Sequence, residues 1–430
     1  MAITTNSTPS AYTPAYNPQW WVATSSQTGQ PNFRYRLIIT DVITAEFVTK
    51  DVDPDPSGRL VFDTGSFAEQ YITTPNPNGD YGFTVNTGAI RQIRVNIGEV
   101  YGSTPTYYAG SNQTYIVWNG SIDFLEMQSY ASGDYLYSTS NNIQLITNNH
   151  NPDYTWSPSS NPEYYSETEK TSDNESTYLY FLGANSLERI RVVGFSSDGT
   201  QLGSTLIGNP TSGSANYLNN YKYIDVGYNG LLSMPVGQVQ SGTYPIPVAT
   251  YDYWIVYDES SWLPTNPGPG QPYVYPLKRY NKICEPRYDI VTLHYLTPEG
   301  NFETQPFAKL SIRKQEGKKS YYSKLPYEVT GSAPTQAVTY DYGAIIQNTL
   351  SSTIQESITL NTDWITELEA TMLKDLMSSP IVYMSFGDAV SWLSVKVITS
   401  SYEEKKKYNS SLISVSFDVQ YTHLNVRQRT

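Results

Sequence analysis

Chemistry in a protein of this kind would have to come from a few residue types, so their spacing is the place to begin. The chain has three histidines, His150, His294 and His423. His150 sits in a polar stretch, His294 in an apolar run and His423 beside the C-terminus, a spacing that forms neither a metal-ligand set nor a nucleophile–base pair. The sequence carries no phosphate loop with its Lys, no Gly-x-Ser-x-Gly elbow and no His-Glu-x-x-His. A pair of carboxylates working in glycoside hydrolysis has no sequence spacing of its own, and nothing here singles one out.

Asp51, Asp53 and Asp55 alternate as the first oxygen ligands of a calcium loop do, with Ser57 next. Pro56 stands where the sharp turn wants Gly and Phe62 where the bidentate Glu belongs, so a solvated turn is the expected reading. Cys284 is the one cysteine, which excludes an intrachain disulfide framework and a Cys-based zinc cluster. It reads as a buried, inert side chain. No enzyme activity, cofactor or metal is expected.

The one basic cluster is Lys309, Arg313, Lys314, Lys318, Lys319 and Lys324, with Tyr321 and Tyr322 interleaved. Gln315-Glu316-Gly317 would turn it into a hairpin with the charge at its tip. Such a tip can touch phosphates in a channel or an acidic neighbouring subunit, and it can equally be lysine protection of an exposed edge strand.

These residues must be positioned by a mainly β protein. With 430 residues the chain exceeds one small core. The 39 Tyr suit half-buried pleated surfaces and protein interfaces, while 28 Gly and 27 Pro punctuate turns. A net charge of −13 argues against wrapping the surface around nucleic acid. The first residues lack a basic region followed by an apolar core, and no apolar run approaches the ~20 residues that cross a bilayer, so neither a secretory leader nor membrane insertion is expected.

In order, residues 1–18 read as a polar, flexible arm that would order only against something else. Trp20 to Val22 and Phe33 to Ile39 read as strands around a turn at Gly29–Asn32, and Ser66 to Tyr71 as a helical turn. Ala89 to Ile97 alternates apolar and polar as a half-exposed strand should. A first β-domain over 19–150, a linker, a second over 177–300 and a third over 301–430 follow. Short strands separated by turn signals, without intervening helices, predict two to three antiparallel β-sandwich-like domains. Asn266 to Pro272 is a breaker cluster. The third domain holds one short amphipathic helix, 367–378. Thr366 and Glu369 form a capping box for it, Leu368, Leu373, Met372, Leu376 and Met377 its apolar side, and Pro380 its stop.

Three segments give the order of the chain a likeness. Asn17-Pro18 to Val22, then Gln30-Pro31-Asn32-Phe33-Arg34-Tyr35, is similar to the opening of tail-associated virion proteins of phages that infect Bacteroidetes, the crAss-like phages among them. Ile283-Cys284-Glu285 with Tyr288, Leu293-His294-Tyr295-Leu296 and Gly300-Asn301-Phe302-Glu303-Thr304 resembles the same group. So do Leu360 to Trp364, Leu376 to Pro380 and Val382-Tyr383-Met384 near the end. The resemblance implies a non-enzymatic subunit of a neck or tail ring or connector, made in the host cytoplasm and residing in the virion. It would contact copies of itself and other neck or tail proteins, with DNA passing through the lumen. Interface candidates on that reading are Tyr12, Tyr16, Trp20 and Trp21 in the arm, and Arg313, Lys314, Lys318 and Lys319 in the hairpin. A host-surface glycan-binding adhesin or baseplate protein is the alternative, since sugar sites favour exposed Trp and Tyr.

Overall fold

A computed structural model describes residues 3–426 apart from 78, 123–135, 139–143, 147–167, 174, 184–186, 214–220, 260–274, 284–285, 324–326, 341–346, 363–364, 366, 387–391, 400–413 and 423–424. His150, His423, Cys284, Lys324, the 266–272 cluster and the Thr366 cap therefore lie outside the described residues. The protein is mainly β, built of mostly antiparallel sheets in a β-sandwich-like, multi-domain arrangement, with parallel pairs only between Tyr12–Pro14 and Thr106–Trp118 and between Thr168–Thr171 and Tyr275–Lys282 among the described residues.

The first region uses nine strands: β1 (Ile3–Ser7), β2 (Tyr12–Pro14), β3 (Trp20–Ser25), β4 (Arg34–Asp41), β5 (Phe47–Val52), β6 (Arg59–Asp63), β7 (Thr84–Val85), β8 (Ile90–Tyr101) and β9 (Thr106–Trp118). One sheet runs β1-β3-β6, another β2-β9-β8-β4-β5. Alternation in β4 sends Tyr35, Leu37 and Ile39 inward, where they meet Ile93, Val95 and Ile97 of β8 and Trp21 and Ala23 of β3. The helical turn expected at 66–71 is present as Gly65–Ala68 followed by Glu69–Tyr71.

The flexible arm expected at 1–18 is instead woven into both sheets. β1 pairs antiparallel with β3, and β2 pairs parallel with β9. Polar side chains do not prevent this, because an edge strand is held by its backbone bonds. Asn17 fastens the end of the segment: its amide donates to the Ile122 carbonyl at 2.7 Å and accepts from the Ile122 N–H at 2.6 Å.

The middle region contributes β10 (Leu136–Ser138), β11 (Gln144–Ile146), β12 (Thr168–Thr171), β13 (Tyr178–Leu182), β14 (Arg189–Phe195), β15 (Gln201–Gly208), β16 (Lys222–Asp225), β17 (Val239–Ser241), β18 (Tyr253–Asp258) and β19 (Tyr275–Lys282). They form sheets in the order β10-β11-β13-β16-β7 and β12-β19-β18-β14-β15-β17. Between the two lies a core that includes Phe181, Ile224, Val192, Trp254 and Val256. β7, β10 and β11 fall within the 19–150 block expected from the sequence, yet they pair in the middle region's sheet.

The last region holds β20 (Val291–Leu296), β21 (Phe302–Phe307), β22 (Ile312–Ser323), β23 (Tyr327–Thr330), β24 (Ala337–Tyr340), β25 (Gln347–Asn361), β26 (Val382–Phe386), β27 (Leu393–Val397), β28 (Ser416–Tyr421) and β29 (Asn425–Val426). Seven of them make the path β21-β20-β26-β27-β28-β25-β22, with β29 beside β25, while β23 and β24 pair only with each other among the described residues. The helix Glu367–Ser378 has the bounds expected of it, and Ala370, Leu373 and Leu376 pack against Leu293, Leu360, Met384 and Phe417. A further cluster joins the three regions: Ile90 and Trp118, then Tyr180 and Tyr221, then Leu296 and Phe302.

Candidate functional site

The residues that could carry chemistry are placed one by one by this architecture, and the first is His294. It stands in β20, where both faces are covered, and its ring stacks on Trp392 at 4.0 Å with an interplanar angle of 11°. Nδ1 is 3.1 Å from the Thr304 hydroxyl and Nε2 is 2.9 Å from the Ser385 hydroxyl, so both nitrogens are occupied by neighbouring strands. Burial without a counter-charge holds the imidazole well below its ordinary range, at about 3. A neutral ring sealed in this way ties three strands together.

The Asp51-Asp53-Asp55 alternation runs from the end of β5 into the turn before β6, and arginines meet its carboxylates. Arg36 Nε meets Asp51 Oδ1 at 2.6 Å, Arg34 Nε meets Asp53 Oδ1 at 3.0 Å, and Arg59 Nη2 meets Asp55 Oδ2 at 2.9 Å. The Asp55 carboxylate also accepts the N–H groups of Ser57 and Arg59, both at 2.8 Å. Hydrogen bonds from the Arg59 backbone and side chain hold Asp55 below the usual carboxylate range, and Arg36 does the same for Asp51. Asp51 lies in β5 opposite Arg36 of β4, so of the alternation only Asp53 and Asp55 stand in the turn before β6, and each of the three carboxylates meets an arginine.

Two acids that sequence spacing does not single out, Glu175 and Asp225, are both buried and both strongly shifted, as is the Glu299 carboxyl. Glu175 Oε2 accepts from the Ser172 N–H at 2.7 Å and its hydroxyl at 2.8 Å. Asp225 Oδ1 accepts from the N–H groups of Thr177 at 3.0 Å and Gly227 at 2.9 Å. Burial pushes each carboxyl up to about 7, and Glu175 adds to the effect on Asp225 by repulsion. The acids lock the entry to β13 against the exit from β16. Gly230 belongs to the same fit, since a Cβ there would lie 2.2 Å from Asp225 Cγ. With both carboxyls buried and aimed at backbone donors, the pair is built as a brace.

A second buried charge arrangement crosses regions. Lys278 Nζ of β19 lies 3.1 Å from Glu303 Oε2 of β21, and Asn301 Nδ2 donates to Glu303 Oε1 at 2.8 Å. Neither partner stands out in the sequence, because their separation has no period.

The aromatic candidates of the N-terminal segment divide. Tyr16 and Trp20 are exposed, at 45% and 52%. Tyr12 is half-buried against the cluster shared by the three regions. Trp21 is a core residue and not a surface one: β3 alternates, so it faces inward, meets Tyr115 edge-on at 5.7 Å and donates its indole N–H to the Thr64 hydroxyl at 3.1 Å.

Arg313, Lys314, Lys318 and Lys319 of the basic cluster lie along β22 and not at a hairpin tip, and Lys309 precedes the strand. Gln315, Glu316 and Gly317 are mid-strand, opposite Glu356, Gln355 and Ile354 of β25. A Gly in a long strand is tolerated here because its partner strand supplies the backbone bonds on one side. Arg313 lies over the Phe386 ring at 5.0 Å, and Lys314 Nζ reaches the Thr359 hydroxyl at 3.3 Å. Lys318 and Lys319 follow on opposite faces of the strand, exposed like all twelve residues of β22. The turn closing the outer hairpin comes at Gly331, whose φ is +90°, with Thr335 N–H bonded to the Ser332 carbonyl.

Among the described residues there is no group of three or more His, Cys, Asp or Glu placed to hold a metal ion. No helix is long and apolar enough to cross a membrane. No family model matches the chain, and no curated protein matches it.

Proposed function

We propose that the chain is a non-enzymatic structural subunit of a tailed-phage virion, working in a ring or connector of the neck or tail beside copies of itself and other neck or tail proteins. The observation that supports this most directly is β22, exposed along all twelve residues with Ile312 and Tyr321 on its surface and paired only with β25 among the described residues, together with the exposed β23–β24 hairpin. A surface of that kind is characteristic of an element completed by a neighbour. The sequence resemblance to virion proteins supplies the setting, and passage of DNA through the lumen belongs to the same reading.

Mass measurement of the purified protein across a concentration series, with electron-microscopy class averages, tests it. A discrete oligomer with cyclic symmetry is expected. A strictly monomeric protein that also fails to join virions would overturn the reading. Exposed Trp20 and Tyr16 favour the second reading, a glycan-binding adhesin or baseplate protein, for which a glycan array gives bound sugar by an isolated chain.

A further inference from the structure

The turn between β20 and β21 carries an acid at the one place where the three regions meet. Three successive carbonyls of this turn hold the other regions: Pro298 accepts the Ser121 N–H, Glu299 the indole N–H of Trp118, and Gly300 the Tyr221 hydroxyl. The Glu299 carboxyl is hydrogen-bonded to the Thr297 hydroxyl, while its Oε2 is closed off from solvent and meets no donor among the described residues. An unmet oxygen of a neutral acid is tolerable in such a place. On a carboxylate it is severe.

The direction of the surrounding hydrogen bonds decides which form fits. Lys278 Nζ lies 3.1 Å from Glu303 Oε2, so Glu303 is a carboxylate that only accepts. Asn301 must therefore turn its amide N–H toward Glu303 Oε1, at 2.8 Å, and its carbonyl toward Thr297. Thr297 then gives its one hydroxyl proton to Asn301 Oδ1. Thr297, Asn301 and Glu303 are all buried, so water does not redirect these bonds. What Thr297 has left for Glu299 is an oxygen lone pair, which a carboxylic acid can use and a carboxylate cannot.

The charges facing Glu299 point the same way. Asp375 of the helix Glu367–Ser378 and Glu303 of β21 both repel a charge there, and burial with that repulsion pushes the carboxyl up to about 7. Lys278 of β19 is engaged with Glu303, and Tyr221 of β16 meets the Gly300 carbonyl. The backbone after β9 brings Trp118, Asn119 and Ser121, none of them charged. Glu299 as a whole is only half-buried, so water lies close to the turn.

We propose that Glu299 is a proton-controlled latch: as the neutral acid it keeps the 298–300 turn in its seat, and on losing its proton to solvent it moves toward water and frees the turn from Trp118, Ser121 and Tyr221. The three regions are then joined less firmly in alkaline solution than in acid. All the groups involved belong to one chain, so the latch works with or without assembly.

Amide hydrogen exchange of the full chain tests it, read by mass spectrometry over residues 118–122 and 297–302 from pH 6 to pH 8 and corrected for the intrinsic rate. Protection of both segments in the wild type should fall at least roughly tenfold across that range. Glu299→Gln keeps a donor for Thr297 and cannot ionise, so it should hold its protection at pH 8. Thr297→Val reads the direction of the proton independently. It takes an acceptor away from the neutral acid, and the midpoint of the loss should move to lower pH. A move to higher pH would mean that Thr297 donates to a carboxylate, and would overturn the latch. Constant protection in the wild type, or an equal loss in Glu299→Gln, would overturn it too. Glu175→Gln with Asp225→Asn should leave the wild-type loss at these segments in place, and its disappearance there would assign the response to that brace instead.

Discussion

The indole N–H of Trp118, at the end of β9, donates to the carbonyl of Glu299 at 3.1 Å across 181 residues of sequence. The bond belongs to a tight docking of the turn between β20 and β21 onto the backbone after β9. Ser121 N–H donates to the Pro298 carbonyl at 2.6 Å, and the Tyr221 hydroxyl donates to the Gly300 carbonyl at 2.8 Å. First, middle and last regions thus meet at one turn, which sits beside the shared aromatic cluster. Such a junction ties the three regions to one another.

Gly300 is the critical residue of that junction. Its φ of +89° lies in the left-handed region, and a Cβ there would come 1.4 Å from the Asn119 carbonyl oxygen, a distance that backbone must move to relieve. Gly300→Ala is expected to cost about 3 kcal/mol or more, since steric conflict and backbone strain add. Denaturant unfolding should show a lower midpoint and a split transition as the regions uncouple. An unchanged single transition would show that the turn is not what joins them.

Stability should fall as pH rises from 5 to 7, and the Glu175–Asp225 brace together with the buried Glu299 carboxyl is the reason. All three carboxyls are pushed by burial to about 7, well above their ordinary values, so the folded state holds protons that the unfolded chain has released in that window. Their contribution is complete below the ordinary carboxylate range and is lost as pH rises through about 7, on the order of 3 to 4 kcal/mol for each group. His294 has the opposite sense: its value of about 3 makes stability fall as pH drops from its ordinary range toward 3. Melting temperature against pH should therefore peak near the ordinary carboxylate range. Glu175→Gln combined with Asp225→Asn should reduce the descent from 5 to 7 to the share that Glu299 contributes, and an unaltered slope would assign it to other groups.

What the sequence discloses about this molecule follows from how local each signal is. The helix Glu367–Ser378 is legible because its apolar spacing and its Pro380 stop lie within a few residues of it, and the turn at Pro298–Gly300 announces itself by composition. β22 is misleading for the opposite reason. Uncovered on both faces, it shows no alternation, and its mid-strand Gly317 imitates a turn. β1 and β2 owe their order to the free sides of β3 and β9, which nothing in their own residues predicts. Buried acids are the hardest to foresee, since Glu175 and Asp225 become a brace only after β13 and β16 have paired.

Trp20 and Trp21 are neighbours in sequence with opposite fates, and paired substitutions should separate them. Trp21→Ala removes a buried indole and its bond to Thr64, which should cost about 3 to 5 kcal/mol. Trp20→Ala removes an exposed ring and should leave the unfolding midpoint within about 0.5 kcal/mol of wild type. If Trp20 is an interface residue, its variant should change self-association alone. Equal destabilisation by the two would contradict the alternation of β3.

The Lys278–Glu303 pair offers a cleaner separation of specificity from stability. With side-chain exposures of 2% and 9%, both charges are withdrawn from water, and Asn301 supplies one more donor to the carboxylate. Removing only the cation, in Lys278→Met, leaves Glu303 buried beside an apolar chain and should cost about 3 to 5 kcal/mol. Replacing both, in Lys278→Met with Glu303→Leu, removes the desolvation cost of the two charges together. The double variant should lie within about 1 kcal/mol of wild type or above it. A double-mutant cycle from denaturant unfolding measures this directly. Additive losses would mean that the two residues act through separate neighbours, whereas strong coupling would establish the pair as the link between β19 and β21, and hence between the middle and last regions.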